Sequence, residues 1–132
     1  MSICILGAGA WGTAMAAVLS GGKFSVSLFP RRIEHAEKIK KDLENKDYLP
    51  SIPLKKVKIE TNLKGLRDAD IVLLACPSKA LRETAEKIKP FLEKGFPVAL
   101  CKGLDPSSLK TPSEVLSEIF PDRSTGVLCG PN

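Results

Sequence analysis

The chain reads ICILGAGAWG over residues 3–12. Four apolar residues, typical of a buried strand, precede glycines at positions 7, 9 and 12, and an alanine-rich stretch typical of a helix follows. In this order Gly7 permits a sharp exit from the strand, Gly9 lets a phosphate approach the backbone, and Gly12 lets the helix lie close to the sheet. The N–H groups of the first helical turn attract an anion. The segment therefore predicts a turn that wraps the pyrophosphate of a dinucleotide.

Strand and helix periodicities alternate along the chain. We predict strands at residues 2–7, 26–29, 57–59, 71–75, 97–101 and 126–129, and helices at 11–20, 33–43, 78–92 and 111–119. Residues 48–53 hold two prolines and are predicted as a loop. Ser78 is expected to cap one helix, and Thr111 to open another with a capping box. The alternation indicates one α/β domain over residues 1–132, with a doubly wound, Rossmann-like parallel sheet and helices on both faces.

Bulk composition narrows the class of protein. The chain is 43% hydrophobic and 27% charged, which is ordinary for a globular protein, and it holds no apolar run long enough to span a membrane. Its first residues lack a secretory signal, so we expect a cytoplasmic protein. The net charge of +5 suits a phosphorylated ligand. With 5% aromatic residues and no nucleic-acid motif, no nucleic-acid partner is expected.

The cysteines and the single histidine suggest no metal site. Cys4, Cys76, Cys101 and Cys129 form no C-x-x-C pair and have no histidine nearby in the sequence. Each lies in or at the end of a predicted buried strand, so free thiols are expected. His35 is expected on the surface of a helix, with no catalytic role.

The end of the second predicted strand bears on the choice of cofactor. An NAD site usually has an acidic residue there to hold the ribose 2′-hydroxyl, whereas this chain has Arg31 and Arg32. A guanidinium binds a 2′-phosphate with two hydrogen bonds, which favours NADP(H), with NAD(H) possible. The alternative for at least one arginine is a solvated surface position. Glu34 is expected to complement the dipole of the next helix.

Several segments together resemble one family, in the order in which that family has them. They are Gly7–Ala14, Asn45–Pro50, Ala69–Val72, Pro77–Arg82, Lys102–Leu104 and Gly130–Asn132. The chain resembles the N-terminal part of bacterial-type NAD(P)-dependent glycerol-3-phosphate dehydrogenase. The resemblance implies an oxidoreductase that reduces dihydroxyacetone phosphate to sn-glycerol 3-phosphate, a precursor of glycerophospholipids, normally with NADPH.

The resemblance also assigns cofactor contacts. It implies that the backbone around Ala10 and Trp11 contacts the cofactor phosphates, and that Arg31 and Arg32 lie beside the adenosine ribose. The turn at Pro77 lies near the nicotinamide in the family. Ala10 stands where serine is frequent, so a hydroxyl contact is lost there.

Substrate contacts are expected at Lys102, Gly130 and Asn132. Lys102 directly follows an apolar strand, so its ammonium is expected at the ligand-binding edge, where it can attract a phosphate or polarise a carbonyl. The alternative is one more surface lysine. In the family the matching lysine contacts both substrate and cofactor, and the segment around Gly130 contacts either. Asn132 replaces a frequent serine but still offers a donor and an acceptor.

No catalytic residue can be assigned within these 132 residues. The resemblance places the general acid/base lysine in a second, helical substrate domain absent from this chain, and leaves a homodimer open for the full-length protein. We therefore expect the chain to bind cofactor without turning over substrate. Two alternatives stay open: a different NAD(P)-dependent dehydrogenase, or a stand-alone NAD(P)-binding regulatory module.

Overall fold

The computed structural model describes residues 1–130, and its centre is a six-stranded parallel sheet. The strands within residues 1–130 are β1 Ser2–Leu6, β2 Ser25–Phe29, β3 Glu44–Asn45, β4 Leu49–Pro53, β5 Val57–Ile59, β6 Ile71–Leu74, β7 Phe96–Ala99 and β8 Gly126–Val127. The order across the main sheet is β5-β2-β1-β6-β7-β8, with every neighbouring pair parallel. The order reverses between β1 and β6. The doubly wound fold predicted from the sequence is therefore confirmed, with ligand-binding crevices expected at that reversal.

In the described part of the chain, α-helices cover the two faces of the sheet. They are α1 Ala10–Ser20, α2 Ile33–Asp42, α3 Ser78–Ile88 and α4 Pro112–Ile119, with short 3₁₀ turns at Leu63–Leu66 and Lys89–Phe91. One core contains residues of α1 and α2, and a second contains residues of α3 and α4. No helix within residues 1–130 is long and apolar enough to cross a membrane.

Both faces of the central strands are buried. In β1, Cys4 and Leu6 pack in the core of α3 and α4, whereas Ile3 and Ile5 pack in the core of α1 and α2. Successive side chains of a strand point to opposite faces, so a strand covered on both sides needs apolar residues at every position. This explains the unbroken apolar run that precedes the glycines.

The predicted loop at residues 48–53 is wrong. Leu49–Pro53 forms β4, which pairs antiparallel with β3 in a small sheet of its own. Leu43 ends α2 in the left-handed region at φ 56°, and Ser51 adopts φ 69°. The Ser51 N–H donates to the Glu44 carboxylate at 2.8 Å. Proline lacks a ladder donor but is tolerated in an edge strand, so the prolines did not prevent pairing.

The two helix starts predicted from capping residues differ in outcome. Thr111 caps α4 as predicted: its Oγ1 accepts from the Glu114 N–H at 3.2 Å, and Pro112 occupies the first helical position. Ser78 does not cap α3, because Pro77 is the N-cap residue, with extended backbone at φ −62° and ψ 153°, and Ser78 is the first helical residue. The helix ends at Ile88, before Leu92, because a 3₁₀ turn follows it.

The cysteines are free thiols in differing environments. Cys4 and Cys101 are buried, Cys76 is half-buried, and Cys129 is exposed, so the buried position predicted for Cys129 is wrong. The two-residue β8 ends at Val127, before Cys129. Burial raises the pKa of the Cys4 thiol to about 11, and burial also raises the pKa of Cys76 and Cys101. These three thiols are therefore protonated at neutral pH.

Candidate functional site

The turns that leave β1, β2, β6 and β7 meet at the carboxyl edge of the sheet. The Gly7 N–H, just past β1, donates to the carbonyl of Phe29 at 3.1 Å. The Ala75 N–H, just past β6, donates to the carbonyl of Leu6 at 2.8 Å. The Leu100 N–H continues the ladder to Leu74 at 3.1 Å. The parallel register thus places all four turns side by side at the edge where such sheets bind ligands.

The glycine turn, residues 7–12, requires glycine at two positions for steric reasons. Gly7 adopts φ +110°, and a Cβ there would overlap the Ala75 carbonyl oxygen. A Cβ at Gly12 would overlap the Gly7 carbonyl oxygen and stand 3.1 Å from the Ala75 Cβ. The start of α1 can therefore lie directly against the exit of β1 only because both positions lack side chains.

Gly9 has the opposite environment. No atom lies within 4 Å of the position that a Cβ on Gly9 would take, and its φ of −77° suits any residue. Gly9 is the N-cap of α1, has no side chain to cap the helix, and is followed by a first turn with no acidic residue. The N–H groups of that turn are directed out of the helix end, where an anion is favoured. The space in front of Gly9 is therefore open at the helix end that favours an anion.

A buried side-chain amide donates hydrogen bonds to the glycine turn and to the helix that follows it. Asn45, 1% exposed, donates from Nδ2 to the Ala8 carbonyl and to Thr13 Oγ1, each at 2.8 Å. Its Oδ1 lies 3.0 Å from His35 Nε2, and the His35 ring packs against Tyr48 with centroids 5.4 Å apart. The surface position predicted for His35 is wrong, because the β3–β4 hairpin covers it. No periodicity indicates Asn45, which is 37 residues from Ala8.

A cavity of about 430 Å³ opens beside the glycine turn, between the carboxyl edge and α3. It is lined at the edge by Gly7, Pro30, Arg31 and Pro77, and along α3 by residues that include Thr84 and Lys87. Of the two predicted arginines, only Arg31 lines it. Arg32 is exposed and provides the N-cap position of α2, and Glu34 lies in the first turn of that helix, as predicted.

The loop after β7 carries Lys102, which is exposed at the same edge. We call residues 102–110 the Lys102 loop. Gly103 adopts φ +87°, and a Cβ there would stand 3.7 Å from Ser78 Oγ, so the loop passes the start of α3. A Cβ is strained at this φ, which explains glycine directly after the lysine.

Asp105 shapes the Lys102 loop from within. Its Oδ2 accepts from Ser108 Oγ at 2.5 Å, from Ser107 Oγ at 3.1 Å and from Arg82 Nε at 3.4 Å. The hydrogen bond from Ser108 is the main reason why the pKa of this carboxyl lies below its usual range. The hydrogen bond from Ser107 and the charge of Arg82 lower the pKa further. The Asp105 N–H also donates to the Lys110 carbonyl at 2.8 Å, which closes the loop.

The remaining predicted site residues lie at different places. Ala10 and Trp11 belong to the glycine turn and begin α1, and Trp11 is 53% exposed. Gly130 is exposed, with open space around it. Asn132 lies outside the described residues. Within residues 1–130, no group of three or more His, Cys, Asp or Glu side chains is arranged to hold a metal ion.

Comparison with known proteins adds the family to this geometry. Residues 2–132 match the family model described as NAD-dependent glycerol-3-phosphate dehydrogenase N-terminus. The chain belongs to this family. A curated glycerol-3-phosphate dehydrogenase [NAD(P)+] of Moorella thermoacetica is 43% identical over 134 residues, covering 99% of this chain and 40% of the relative. Its counterpart in Syntrophomonas wolfei is 40% identical over 136 residues, covering 98% and 40%.

A solved structure of a glycerol-3-phosphate dehydrogenase is also similar to this chain. A crystal structure of glycerol-3-phosphate dehydrogenase from Coxiella burnetii superposes with a TM-score of 0.90 at 32% identity, covering 98% of this chain and 41% of that one. An arogenate dehydrogenase from Synechocystis shares the fold alone, with a TM-score of 0.68 at 20% identity over 91% of this chain and 38% of the other. The chain thus spans about two fifths of the length of the relatives it matches.

In this glycerol-3-phosphate dehydrogenase N-terminal domain, the predicted cofactor residues fall into two groups. Gly7, Arg31 and Pro77 line the cavity, and the glycine turn borders it. Arg32 and Lys102 do not line it, although Lys102 lies at the same edge of the sheet. Sequence reasoning includes Asn45 in a family-like segment but assigns it no contact, whereas in the structure it reaches the glycine turn from another part of the chain.

Proposed function

We propose that this chain is the NAD(P)H-binding domain of an enzyme that reduces dihydroxyacetone phosphate to sn-glycerol 3-phosphate. One observation carries the proposal: Gly9 faces open space at the uncapped start of α1, and Gly7, two residues before it, lines a cavity together with Arg31. A dinucleotide needs a site for its pyrophosphate and, next to it, a pocket for its adenosine. Family membership supports the same reading.

The glycine turn is proposed to hold the pyrophosphate. Gly9 leaves the backbone open, and the N–H groups at the start of α1, at Ala10 and Trp11, would donate to the phosphate oxygens. Gly7 and Gly12 serve this role indirectly, because they permit the close packing that sets the position of the turn. The chain thus supplies hydrogen bonds and a helix dipole at the start of α1.

Arg31 is proposed to select NADP(H) over NAD(H). It follows β2, where an NAD-specific site has a carboxylate, and it lines the cavity. Its guanidinium can bind a 2′-phosphate with two parallel hydrogen bonds. Arg32 lies outside the cavity lining, so we assign the discrimination to Arg31.

Lys102 is proposed to bind the substrate at the far side of the reversal in strand order. When bound, the reduced nicotinamide supplies the hydride for the substrate carbonyl. The Lys102 ammonium would attract the substrate phosphate or polarise that carbonyl, and Pro77 would border the nicotinamide. Gly130 and Asn132 remain proposed substrate contacts, on the resemblance alone.

Turnover is proposed to need a proton donor that residues 1–132 do not supply. The chain spans about two fifths of its relatives, and we assign none of its residues as general acid/base. We expect the purified chain to bind NADPH but not to oxidise it when dihydroxyacetone phosphate is added. Substrate-dependent loss of NADPH absorbance would overturn this assignment.

The cofactor proposal is tested by titrating NADPH and NADH into the chain, followed by calorimetry and by the fluorescence of Trp11, its single tryptophan. We expect tighter binding of NADPH. Arg31→Ala should weaken NADPH by roughly 10- to 100-fold, as expected for lost hydrogen bonds to a charged group, and leave NADH within about twofold. Arg32→Ala is the matched control and should change neither by more than about twofold. Equal affinity for both cofactors, unchanged by Arg31→Ala, would overturn the assignment.

A further inference from the structure

The peptide that joins Ala8 to Gly9 is held by a residue from a distant part of the chain. The Ala8 carbonyl accepts a hydrogen bond from Asn45 Nδ2 at 2.8 Å, and the same Nδ2 donates to Thr13 Oγ1 at 2.8 Å. Asn45 is 1% exposed and Thr13 is fully buried. One amide therefore bridges the strand side and the helix side of the glycine turn.

The partners determine how this amide is oriented. A backbone carbonyl only accepts, so the group facing Ala8 must be the NH₂ of Asn45, and its Oδ1 must face His35. The Oδ1 atom only accepts as well, so His35 Nε2, 3.0 Å away, must carry the hydrogen. His35 thus fixes the amide against rotation, and both Nδ2 hydrogens are committed to the glycine turn.

Peptide planarity transmits this constraint to the phosphate side. In a trans peptide, the carbonyl and the following N–H point in opposite directions. Asn45 draws the Ala8 carbonyl toward the buried amide, so the Gly9 N–H points to the opposite side of the peptide, away from that amide. Thr13, whose N–H donates to the Gly9 carbonyl at 3.0 Å, is held by the same amide.

We propose that Asn45 is a positioning residue that orients the Gly9 N–H, and the first turn of α1, toward the cofactor pyrophosphate. The inference rests on the proposed function, because it assumes that the glycine turn binds phosphate. Asn45 touches no phosphate itself. It acts through the Ala8–Gly9 peptide and through Thr13, and His35 acts through Asn45.

The test compares two probes on the 132-residue chain. NADPH needs the glycine turn, whereas adenosine 2′-monophosphate has no pyrophosphate and needs only the cavity at Arg31. In Asn45→Asp, which has the same shape but no donor, we expect NADPH to bind at least about tenfold more weakly and adenosine 2′-monophosphate to bind within about twofold. Equal weakening of both probes, or of neither, would overturn the proposal.

Two further variants cover the case in which Asn45→Asp does not fold. Thr13→Val keeps the shape of Thr13 and removes one acceptor, and should weaken NADPH severalfold without changing the other probe. His35→Leu removes the donor that fixes the amide, and should do the same. His35→Gln places an amide N–H near the position of Nε2 and should restore wild-type binding. Failure of His35→Gln to differ from His35→Leu would contradict the assigned role.

A ligand-free measurement separates this inference from the proposed function. We expect the Gly9 amide resonance in a ¹H–¹⁵N spectrum to shift in Thr13→Val and His35→Leu, and to return in His35→Gln. If the wild-type chain does not bind NADPH, the proposed function fails. If the Gly9 resonance is unchanged in the variants, the positioning role fails, whatever the chain binds.

Discussion

Two loops at the same edge of the sheet are held in place by opposite means. The glycine turn is fixed by buried, uncharged groups: the Asn45 amide, the Ala8 carbonyl and the Thr13 hydroxyl. The Lys102 loop is fixed largely by charged groups, with Arg82 joined to both Asp105 and Glu118 at 3.4 Å. Lys110 adds a salt bridge to Glu118 at 2.7 Å.

This contrast determines which features of the site depend on salt and pH. Bonds between buried neutral groups change little with salt or pH, whereas partly exposed ion pairs are screened by salt and lost as carboxylates are protonated. We expect the glycine turn to keep its geometry over a wide pH range, because His35 Nε2–H can donate to Asn45 Oδ1 from the neutral and from the protonated ring. The Lys102 loop, which carries the proposed substrate contact, should loosen first in acid.

Gly7→Ala is expected to give the largest effect, because it strikes the glycine turn where no side chain fits. The new Cβ would combine strained backbone at φ +110° with overlap of the Ala75 carbonyl oxygen. We expect a loss of unfolding free energy on the order of 2–4 kcal/mol. Urea denaturation followed by circular dichroism measures it.

Gly9→Ala is the matched control for Gly7→Ala. Nothing lies within 4 Å of its new Cβ and φ is −77°, so stability should stay within about 1 kcal/mol of wild type. NADPH binding should nevertheless weaken, because the methyl group occupies the proposed phosphate space. Equal destabilisation by the two variants would show that the turn is not divided into a structural glycine and a binding glycine.

Asp105→Asn tests the charged half of the comparison. The pKa of Asp105 is lowered in the folded chain by the Ser108 hydroxyl and its other donors. The ionised carboxylate therefore contributes stability that is present above its unfolded pKa, about 4, and lost as pH falls through the folded value. We expect the variant to be less stable than wild type at pH 7, with the difference shrinking toward about pH 3. Urea denaturation across this range measures it.

The control for Asp105→Asn is Asp68→Asn, at an exposed aspartate that precedes β6. It should leave the stability difference near zero across the same range. Amide hydrogen exchange adds a positional readout, because Asp105→Asn should speed exchange in residues 102–110 and leave residues 7–12 unchanged. Faster exchange in both loops would contradict their independence.

The sequence predicts those parts of the site that depend on local patterns. The apolar run of β1, the need for glycine at positions 7 and 12 and the Thr111 cap are each read within a few residues, and the structure has each of them. Ser78 was misassigned because Pro77 offers no side-chain signal for an N-cap.

Long-range features were not predictable in the same way. The hydrogen bonds from Asn45 span 37 and 32 residues, and no spacing rule connects an asparagine after one helix to a carbonyl before another. His35 was expected on the surface because a helical pattern does not reveal that the β3–β4 hairpin folds back over it. The missed contact of Asn45 and the wrong position of His35 have one cause. Local periodicity carries no information about which distant segment covers a given helix face.

Thr111→Ala is expected to give the smallest loss of unfolding free energy. It tests whether a neutral contact also holds the Lys102 loop. Thr111 Oγ1 accepts from the Glu114 N–H at 3.2 Å, directly after that loop. Removing this cap should cost about 1 kcal/mol of unfolding free energy, measured by urea denaturation, and Thr111→Ser should recover most of it. Because the cap is uncharged, the loss should be the same at pH 7 and pH 4, unlike that of Asp105→Asn. A loss that varies with pH would mean that the cap acts through the neighbouring ion pairs. The start of α4 would then depend on charge, as the Lys102 loop does.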